Sequence, residues 1–151
     1  MLACEPLAGW RIIADPAALD SATWPADATV VRISPDDAYV IGGTEPTLSD
    51  PHAIITPEFG FNGIDLSAAQ VDWITERHIE WALPTDRPAL AQGQIAGVAS
   101  KLRLHADGSA QLLVATAAHH ELLDRLGDLD RLGDLGDLGD LGDLGGAGDV
   151  A

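Results

Sequence analysis

The sequence predicts an α+β fold, an antiparallel sheet with two or more helices packed on one face. Three observations support this prediction. Two apolar segments flank a Pro-Asp turn, one longer segment has helical periodicity, and another pair of extended segments flanks an Asp-Gly turn. Strands that come both before and after a helix, in this order, are typical of a sheet whose helices lie on one side.

The first strand pair is predicted within residues 29–41. Residues 29–33 are rich in β-branched side chains, and residues 38–41 are apolar and end at Gly42-Gly43. Ser34-Pro35-Asp36-Asp37 between them has the composition of a turn. Strands joined by so short a connection pair antiparallel.

The clearest helix is predicted to begin after Ser67 and to end near residue 83. Ser67 and Gln70 have the spacing of a capping box, and Pro84 ends the helix because the residue before a proline avoids helical geometry. One buried stripe follows the helical period: Val71, Ile74, His78, Trp81 and Ala82.

A second hairpin and a last helix are predicted near the end of the folded part. Residues 100–105 alternate polar and apolar, Asp107-Gly108 is a strong hairpin signal, and residues 110–115 form the return strand. Thr116 can cap a helix over residues 117–126. Gly93 and Gly97 are expected to mark a bulge or a tight bend.

Composition divides the chain into three parts and excludes several classes of function. Residues 1–28 are predicted to be a partly extended segment, 29–126 a single domain, and 127–151 a Leu-Gly-Asp repeat. The chain has 24 acidic residues against 8 lysines and arginines, a net charge of −16, which argues against nucleic-acid binding and against an anionic membrane surface. Its single cysteine excludes an internal disulfide. Without a long apolar run or a signal-like start, we expect a cytoplasmic protein.

The repeat at the end of the chain is expected to be a disordered acidic tail. It holds seven aspartates and one arginine, and a period of three residues fits neither a helix face nor a strand face. Glycine at every third position also opposes a helix, at about 1 kcal/mol each relative to alanine. A calcium-binding β-roll or a short β-helix would need other spacing or more repeats.

No catalytic or metal-binding constellation is recognised in the sequence. His119 and His120 are adjacent, so on a helix they point in different directions and do not share a metal. His78 and Glu80 have the His-x-Glu spacing of zinc deaminases, but that site also needs a Pro-Cys-x-x-Cys motif, and the one cysteine is Cys4. His78 is therefore interpreted as a residue at the edge of the core.

One set of residues is a candidate ligand or interface rim. Trp73 lies off the buried stripe with Arg77 four residues later, and an aromatic residue beside an arginine is common at protein interfaces. Glu80 and His78 follow on the same helix. The alternative interpretation is that Trp73 packs beneath a loop of its own domain.

The domain resembles the gamma subunit family of heterotetrameric sarcosine oxidase. The resemblance spans roughly residues 30–126, and three segments carry it: the turn Pro35-Asp36-Asp37-Ala38 before a strand, the step Ala91-Gln92 into a strand pair, and the strand Gln111-Leu112-Leu113-Val114 before a last helix. That family is similar in fold to the folate-binding domains of glycine-cleavage aminomethyltransferases.

The resemblance implies a non-catalytic accessory subunit or interaction module. Its partners would be larger flavoprotein subunits of one-carbon or amine metabolism, and the flavin, NAD and folate would belong to that complex and not to this chain. No catalytic residue carries over. Two alternatives remain open: a small folate-binding protein similar to aminomethyltransferases, and a stand-alone globular protein of unrelated role.

Overall fold

Two antiparallel sheets and three α-helices make up the computed structural model over residues 2–130 and 132, the part of the chain that it describes. The strands are β1 (Cys4–Pro6), β2 (Gly9–Ile13), β3 (Thr29–Ser34), β4 (Asp37–Ile41), β5 (Ile54–Glu58), β6 (Phe61–Leu66), β7 (Ala89–Ile95), β8 (Val98–Leu104) and β9 (Ala110–Ala115). The helices are α1 (Pro16–Ser21), α2 (Ala68–His78) and α3 (His119–Arg125), and α3 follows a 3-10 turn (Thr116–Ala118).

The α+β class is confirmed, but the strands form two sheets where the sequence predicted one. The five-stranded sheet has the order β1-β6-β9-β8-β7, and the four-stranded sheet has the order β3-β4-β2-β5. Both predicted hairpins are present, β3–β4 in the smaller sheet and β8–β9 in the larger. The N-terminal segment contributes a strand to each sheet, because β1 pairs with β6 and β2 lies between β4 and β5.

The helices lie on the outer faces of the two sheets, so they do not all share one face. Val71 and Ile74 of α2 and Leu122 of α3 belong to the largest buried cluster, together with the five-stranded sheet. Leu19 of α1 packs instead with Ile12 of β2 on the four-stranded sheet. The prediction of helices on a single face is therefore wrong for α1. Helix α1 begins at Pro16 and has only six residues, which is too short for a helical period to be visible in the sequence.

The inner faces of the sheets pack against each other through a small third cluster. Val31 and Tyr39 of the four-stranded sheet contact Leu113 of the five-stranded sheet, and all three are buried. The Tyr39 and Phe61 rings are 5.3 Å apart between centroids. A hydrogen bond of 2.8 Å from Gln92 Nε2 to the carbonyl of Ile33 also joins the sheets. In β9, for example, Leu113 faces this interface, whereas its neighbours Leu112 and Val114 belong to the cluster that contains α2 and α3.

Tyr39 is fully buried, and its hydroxyl has no hydrogen-bond partner among the described residues. It is the single tyrosine of the chain. Burial, with a smaller contribution from the negative charge of Glu58, raises the pKa of Tyr39 to about 12. An unsatisfied buried hydroxyl costs stability, whereas its aromatic ring adds buried apolar surface.

Replacing Tyr39 with phenylalanine is expected to leave the free energy of unfolding unchanged or to raise it by up to about 1 kcal/mol, because the ring stays and the unpaired hydroxyl goes. The folded-state pKa lies above the unfolded value, so the wild type should lose stability as the pH rises from about 10 to about 12. Denaturant unfolding of both proteins across this range tests the prediction. A loss of more than about 1 kcal/mol in the variant at neutral pH would show that the hydroxyl is paired.

The last helix differs from its predicted form. The chain first makes the 3-10 turn, and the Thr116 hydroxyl donates to Asn62 Oδ1 at 2.7 Å, so it does not cap the helix as predicted. Leu126 and Leu129 are both buried in the largest cluster, so the packed part of the chain continues past the predicted boundary at residue 127. The predicted acidic tail falls mostly on residues 133–151, which lie outside the described residues.

No helix within residues 2–130 is long and apolar enough to cross a membrane.

Candidate functional site

The candidate site lies at the C-terminal end of α2, beside the turn that joins β7 to β8. A cavity of about 440 Å³ opens there. The side chains and backbone that line it come from these two places in the sequence: Arg77, His78, Glu80, Trp81, Gln94, Ala96 and Gly97. Its volume falls within the range of small-molecule sites, and its lining combines one indole ring with both signs of charge.

Helix α2 is positioned by its N-terminal cap. The Ser67 hydroxyl accepts from the Gln70 backbone N–H at 3.2 Å, and the Gln70 side chain accepts from the Ser67 N–H at 2.8 Å. The capping box predicted from the sequence is therefore confirmed. Val71 and Ile74 are buried as predicted and fix the rotation of the helix on the sheet. That rotation leaves Trp73 and Arg77 at the surface of the helix.

The helix ends at His78, earlier than the predicted end near residue 83. Ile79 already has extended backbone angles, φ −119° and ψ 120°. The His78 carbonyl, which a longer helix would use internally, accepts a hydrogen bond from the Ala96 N–H at 3.0 Å. The residues after His78 thus follow the edge of the five-stranded sheet, and Trp81 belongs to the cavity wall and not to a helical stripe.

Trp81 lies flat on β7 at Gly93. A methyl group on Gly93 would come within 2.4 Å of the indole ring, so only glycine leaves room for it. The indole N–H donates to the Gln94 carbonyl at 2.9 Å. Contact and hydrogen bond together hold this ring in one orientation. The predicted bulge or bend at Gly93 is instead the place where a side chain approaches the strand closely.

The opposite wall of the cavity is the tight turn at Ala96-Gly97. Both residues have positive φ, 50° and 77°, which matches the two-residue hairpin geometry that favours glycine. Arg125 from α3 donates to the Ala96 carbonyl at 2.6 Å and also pairs with Glu121. The bend predicted at Gly97 is present, and α3 secures it.

Trp73, Arg77 and His78 form a contact cluster next to the cavity. The Arg77 guanidinium carbon lies 5.0 Å from the centroid of the Trp73 ring, within the range of a cation–π contact. The His78 ring lies 5.2 Å from the same indole. Arg77 also pairs with Glu76 at 3.2 Å, but both side chains are largely exposed, and such a pair contributes little.

The structure brings the four predicted rim residues together. Arg77, His78 and Glu80 line the cavity, and Trp73 supports Arg77 and His78 from the side. Trp73 is half-buried against the main cluster, so it packs on its own domain and keeps part of its side chain exposed. Gln94, Ala96 and Gly97 also line the cavity, which the sequence did not predict. The one signal in this segment was Gly97, which predicted a bend but not a cavity wall.

The chemical groups of the cavity are those of a mixed polar and aromatic binding site. Its titratable side chains are one arginine, one histidine and one glutamate, without a serine, threonine or cysteine nucleophile in the lining. Within the described residues, no three His, Cys, Asp or Glu side chains meet as a candidate metal site. His119 and His120 contact each other, with ring centroids 3.9 Å apart, on a different helix.

Replacing Gly93 with alanine should displace the Trp81 ring and open the cavity. Because the added methyl meets a rigid ring, we expect a loss of about 1–3 kcal/mol, the usual cost of overpacking. The indole would also lose its bond to Gln94 and become more hydrated. Tryptophan fluorescence and denaturant unfolding measure the two effects. An unchanged emission maximum and an unchanged midpoint would contradict the assigned packing.

No protein-family model matches the sequence of this chain, and no curated protein matches it either.

Proposed function

We propose that the chain is a non-catalytic accessory subunit or interaction module that binds a larger flavoprotein of one-carbon or amine metabolism in the cytoplasm. The resemblance to the sarcosine oxidase gamma family suggests the class of partner. Flavin, NAD and folate then belong to the partner complex. The observation that carries the proposal is the contact cluster of Trp73, Arg77 and His78 at the rim of the cavity.

Tryptophan and arginine are the residues over-represented among those that dominate binding energy at interfaces. Here the two are held against each other before any partner arrives, so binding does not have to order them. Arg77 is exposed by about half and its pair with Glu76 is weak, which leaves its guanidinium available to a carboxylate of the partner. The adjacent cavity offers a recess into which a partner side chain fits.

The test is the affinity of the chain for the isolated larger flavoprotein subunits of a heterotetrameric sarcosine oxidase. Replacing Arg77 with alanine removes the exposed cation and little packing. We expect the dissociation constant to rise at least tenfold, as for a residue that dominates an interface. Replacing Trp73 with alanine should have at least as large an effect, but this residue also packs on the core, so Arg77→Ala is the cleaner variant.

A matched control is Phe59→Ala. Phe59 is the most exposed large apolar residue of the described chain, at 67%, and lies in the β5–β6 connection, outside the residues that line the cavity. This variant removes an exposed aromatic ring that does not belong to the rim. We expect its affinity for the flavoprotein subunits to be unchanged. An equal loss of affinity in all three variants, or no loss of affinity in Arg77→Ala, would contradict an interface at the rim.

A second candidate, a small folate-binding protein similar to aminomethyltransferases, is favoured by the cavity itself. Trp81 offers a flat surface for a pterin ring, and Arg77 and Glu80 offer charged groups of both signs. Titration with tetrahydrofolate, followed by tryptophan fluorescence, tests it directly. Saturable quenching that Arg77→Ala weakens supports this candidate, and no quenching at millimolar concentration excludes it.

A further inference from the structure

A second groove lies on the other face of the five-stranded sheet, where the four-stranded sheet does not cover it. Its volume is about 430 Å³. Residues of four strands and their connections line it: Phe61, Gln92, Gly93, Gln94, Ala99, Ser100, Lys101, Leu113 and Ala115. The strand register places Lys101 opposite both Gln92 and Leu113, so these side chains share this inner face and point away from α2.

The charge of this groove is opposite to that of the protein. The chain carries a net charge of −16, yet the lining holds one lysine and no aspartate or glutamate. Within residues 2–130, the arginines at positions 11, 32, 77 and 125 each have a carboxylate within 4 Å, whereas Arg87, Lys101 and Arg103 have none. Of these three cations, Lys101 is the one that lines this groove.

The surroundings of Lys101 leave its positive charge uncompensated. Its ammonium group donates to Gln92 Oε1 at 2.9 Å and lies 5.9 Å from the centroid of the Phe61 ring. Asp37, the acidic group whose charge acts on Lys101, is held by two hydrogen bonds from Arg11, at 2.5 and 2.7 Å. Partial burial and the positive charge of Arg11 lower the pKa of Lys101, whereas Asp37 raises it less.

We propose that this groove binds a small organic carboxylate with a flat apolar body. The carboxylate pairs with the Lys101 ammonium, and the apolar body lies against the Phe61 ring and the exposed Ala115, which both line the groove. Gln92 and Gln94 provide further hydrogen-bonding groups at the edge. A charge-assisted bond in a partly dehydrated groove is stronger than one in water, and the aromatic wall selects a planar ligand. This site is separate from the α2 rim, and the proposal does not depend on the proposed partner.

Phenylacetate is the probe, with phenylacetamide as its uncharged counterpart. Titration followed by NMR or calorimetry is expected to show saturable millimolar binding of phenylacetate to the full chain, and at least tenfold weaker binding of the amide. Lys101→Gln should weaken phenylacetate binding at least tenfold. Arg103→Gln, which removes a charge from the same face of β8 two residues away, should leave it unchanged, because Arg103 bonds Gln111 and does not line the groove.

Each outcome decides the proposal. Saturable binding that depends on both the carboxylate and Lys101 supports it. Absence of saturable binding to the wild type, equal binding of the amide, or equal weakening by Lys101→Gln and Arg103→Gln overturns it. The comparison of the two probes uses the wild-type protein alone, so it remains decisive even where a variant fails to fold.

Discussion

Replacing Gly9 with alanine is expected to lower the free energy of unfolding by about 3–5 kcal/mol, among the largest effects of any single added methyl group in this protein. A Cβ at this position would lie 2.0 Å from the carbonyl oxygen of Val40 and 2.9 Å from its carbonyl carbon. These are backbone atoms of β4, which cannot rotate away as a side chain does. The strand β2 would have to shift against β4.

The shift is costly because β2 is an interior strand. It pairs with β4 on one side and β5 on the other, and Gly9 lies opposite Ile41 and Glu58 in the two registers. Displacing it disturbs both ladders and the burial of Ile12. Thermal and denaturant unfolding measure the loss.

The matched control for this variant is Gly60→Ala. A methyl group on Gly60 meets only the far end of the Glu58 side chain, at 3.3 Å, which can give way by a few tenths of an ångström while backbone atoms cannot. We expect a change within about 0.5 kcal/mol, as for surface substitutions. Similar losses in the two variants would mean that strand or loop propensity, and not the contact with Val40, decides the outcome at Gly9.

The second large effect concerns the point at which the chain is shortened. A chain that ends at Leu126 loses Leu129, whose side chain is fully buried in the main cluster and whose N–H donates to the Leu126 carbonyl at 2.7 Å. We expect it to lose about 2–5 kcal/mol, the cost of removing a buried leucine, and to melt roughly 10 °C lower.

A chain that ends at Leu132 is the matched comparison. It removes the remaining Leu-Gly-Asp units, which the sequence predicts to bury little, and keeps Leu129. Its melting temperature is expected to stay close to that of the full chain, as the composition of the repeat implies. A large loss in this longer chain would mean that residues beyond 132 stabilise the fold. Equal stability of both shortened chains would contradict the burial of Leu129.

Local signals in the sequence predicted local structure well. The capping box at Ser67, the turn at Asp107-Gly108 and the strand pair around Pro35 are each specified by a few neighbouring residues, and each is present. Their physical cause acts over three or four residues, so a sequence pattern is enough to find them.

Features that depend on distant contacts could not be predicted in this way. The early end of α2 depends on the bond from Ala96 to His78, and the division into two sheets depends on where β2 pairs. Residues 10–13 have the composition of a strand, but no nearby residue indicates which strands they pair with. Periodicity alone also assigned Trp81 to a helical stripe, although its ring lies on Gly93.

The candidate site was partly predictable for the same reason. Trp73, Arg77 and His78 lie within two helical turns, so their proximity follows from the helix. The cavity beside them needs the β7–β8 turn, which lies about twenty residues further along the chain. Lys101 was interpreted only as a polar residue on a half-buried strand, because its lack of a counter-ion is visible only in three dimensions.

Co-elution of flavin with the chain tests the central claim most directly. The full chain, purified at native level from its own cells by size-exclusion chromatography, is predicted to elute in a complex larger than its 15.7 kDa mass, together with flavin absorbance. The Arg77→Ala chain should elute separately from that absorbance. If the wild-type chain elutes as a monomer without flavin, the proposal of an accessory flavoprotein subunit is contradicted.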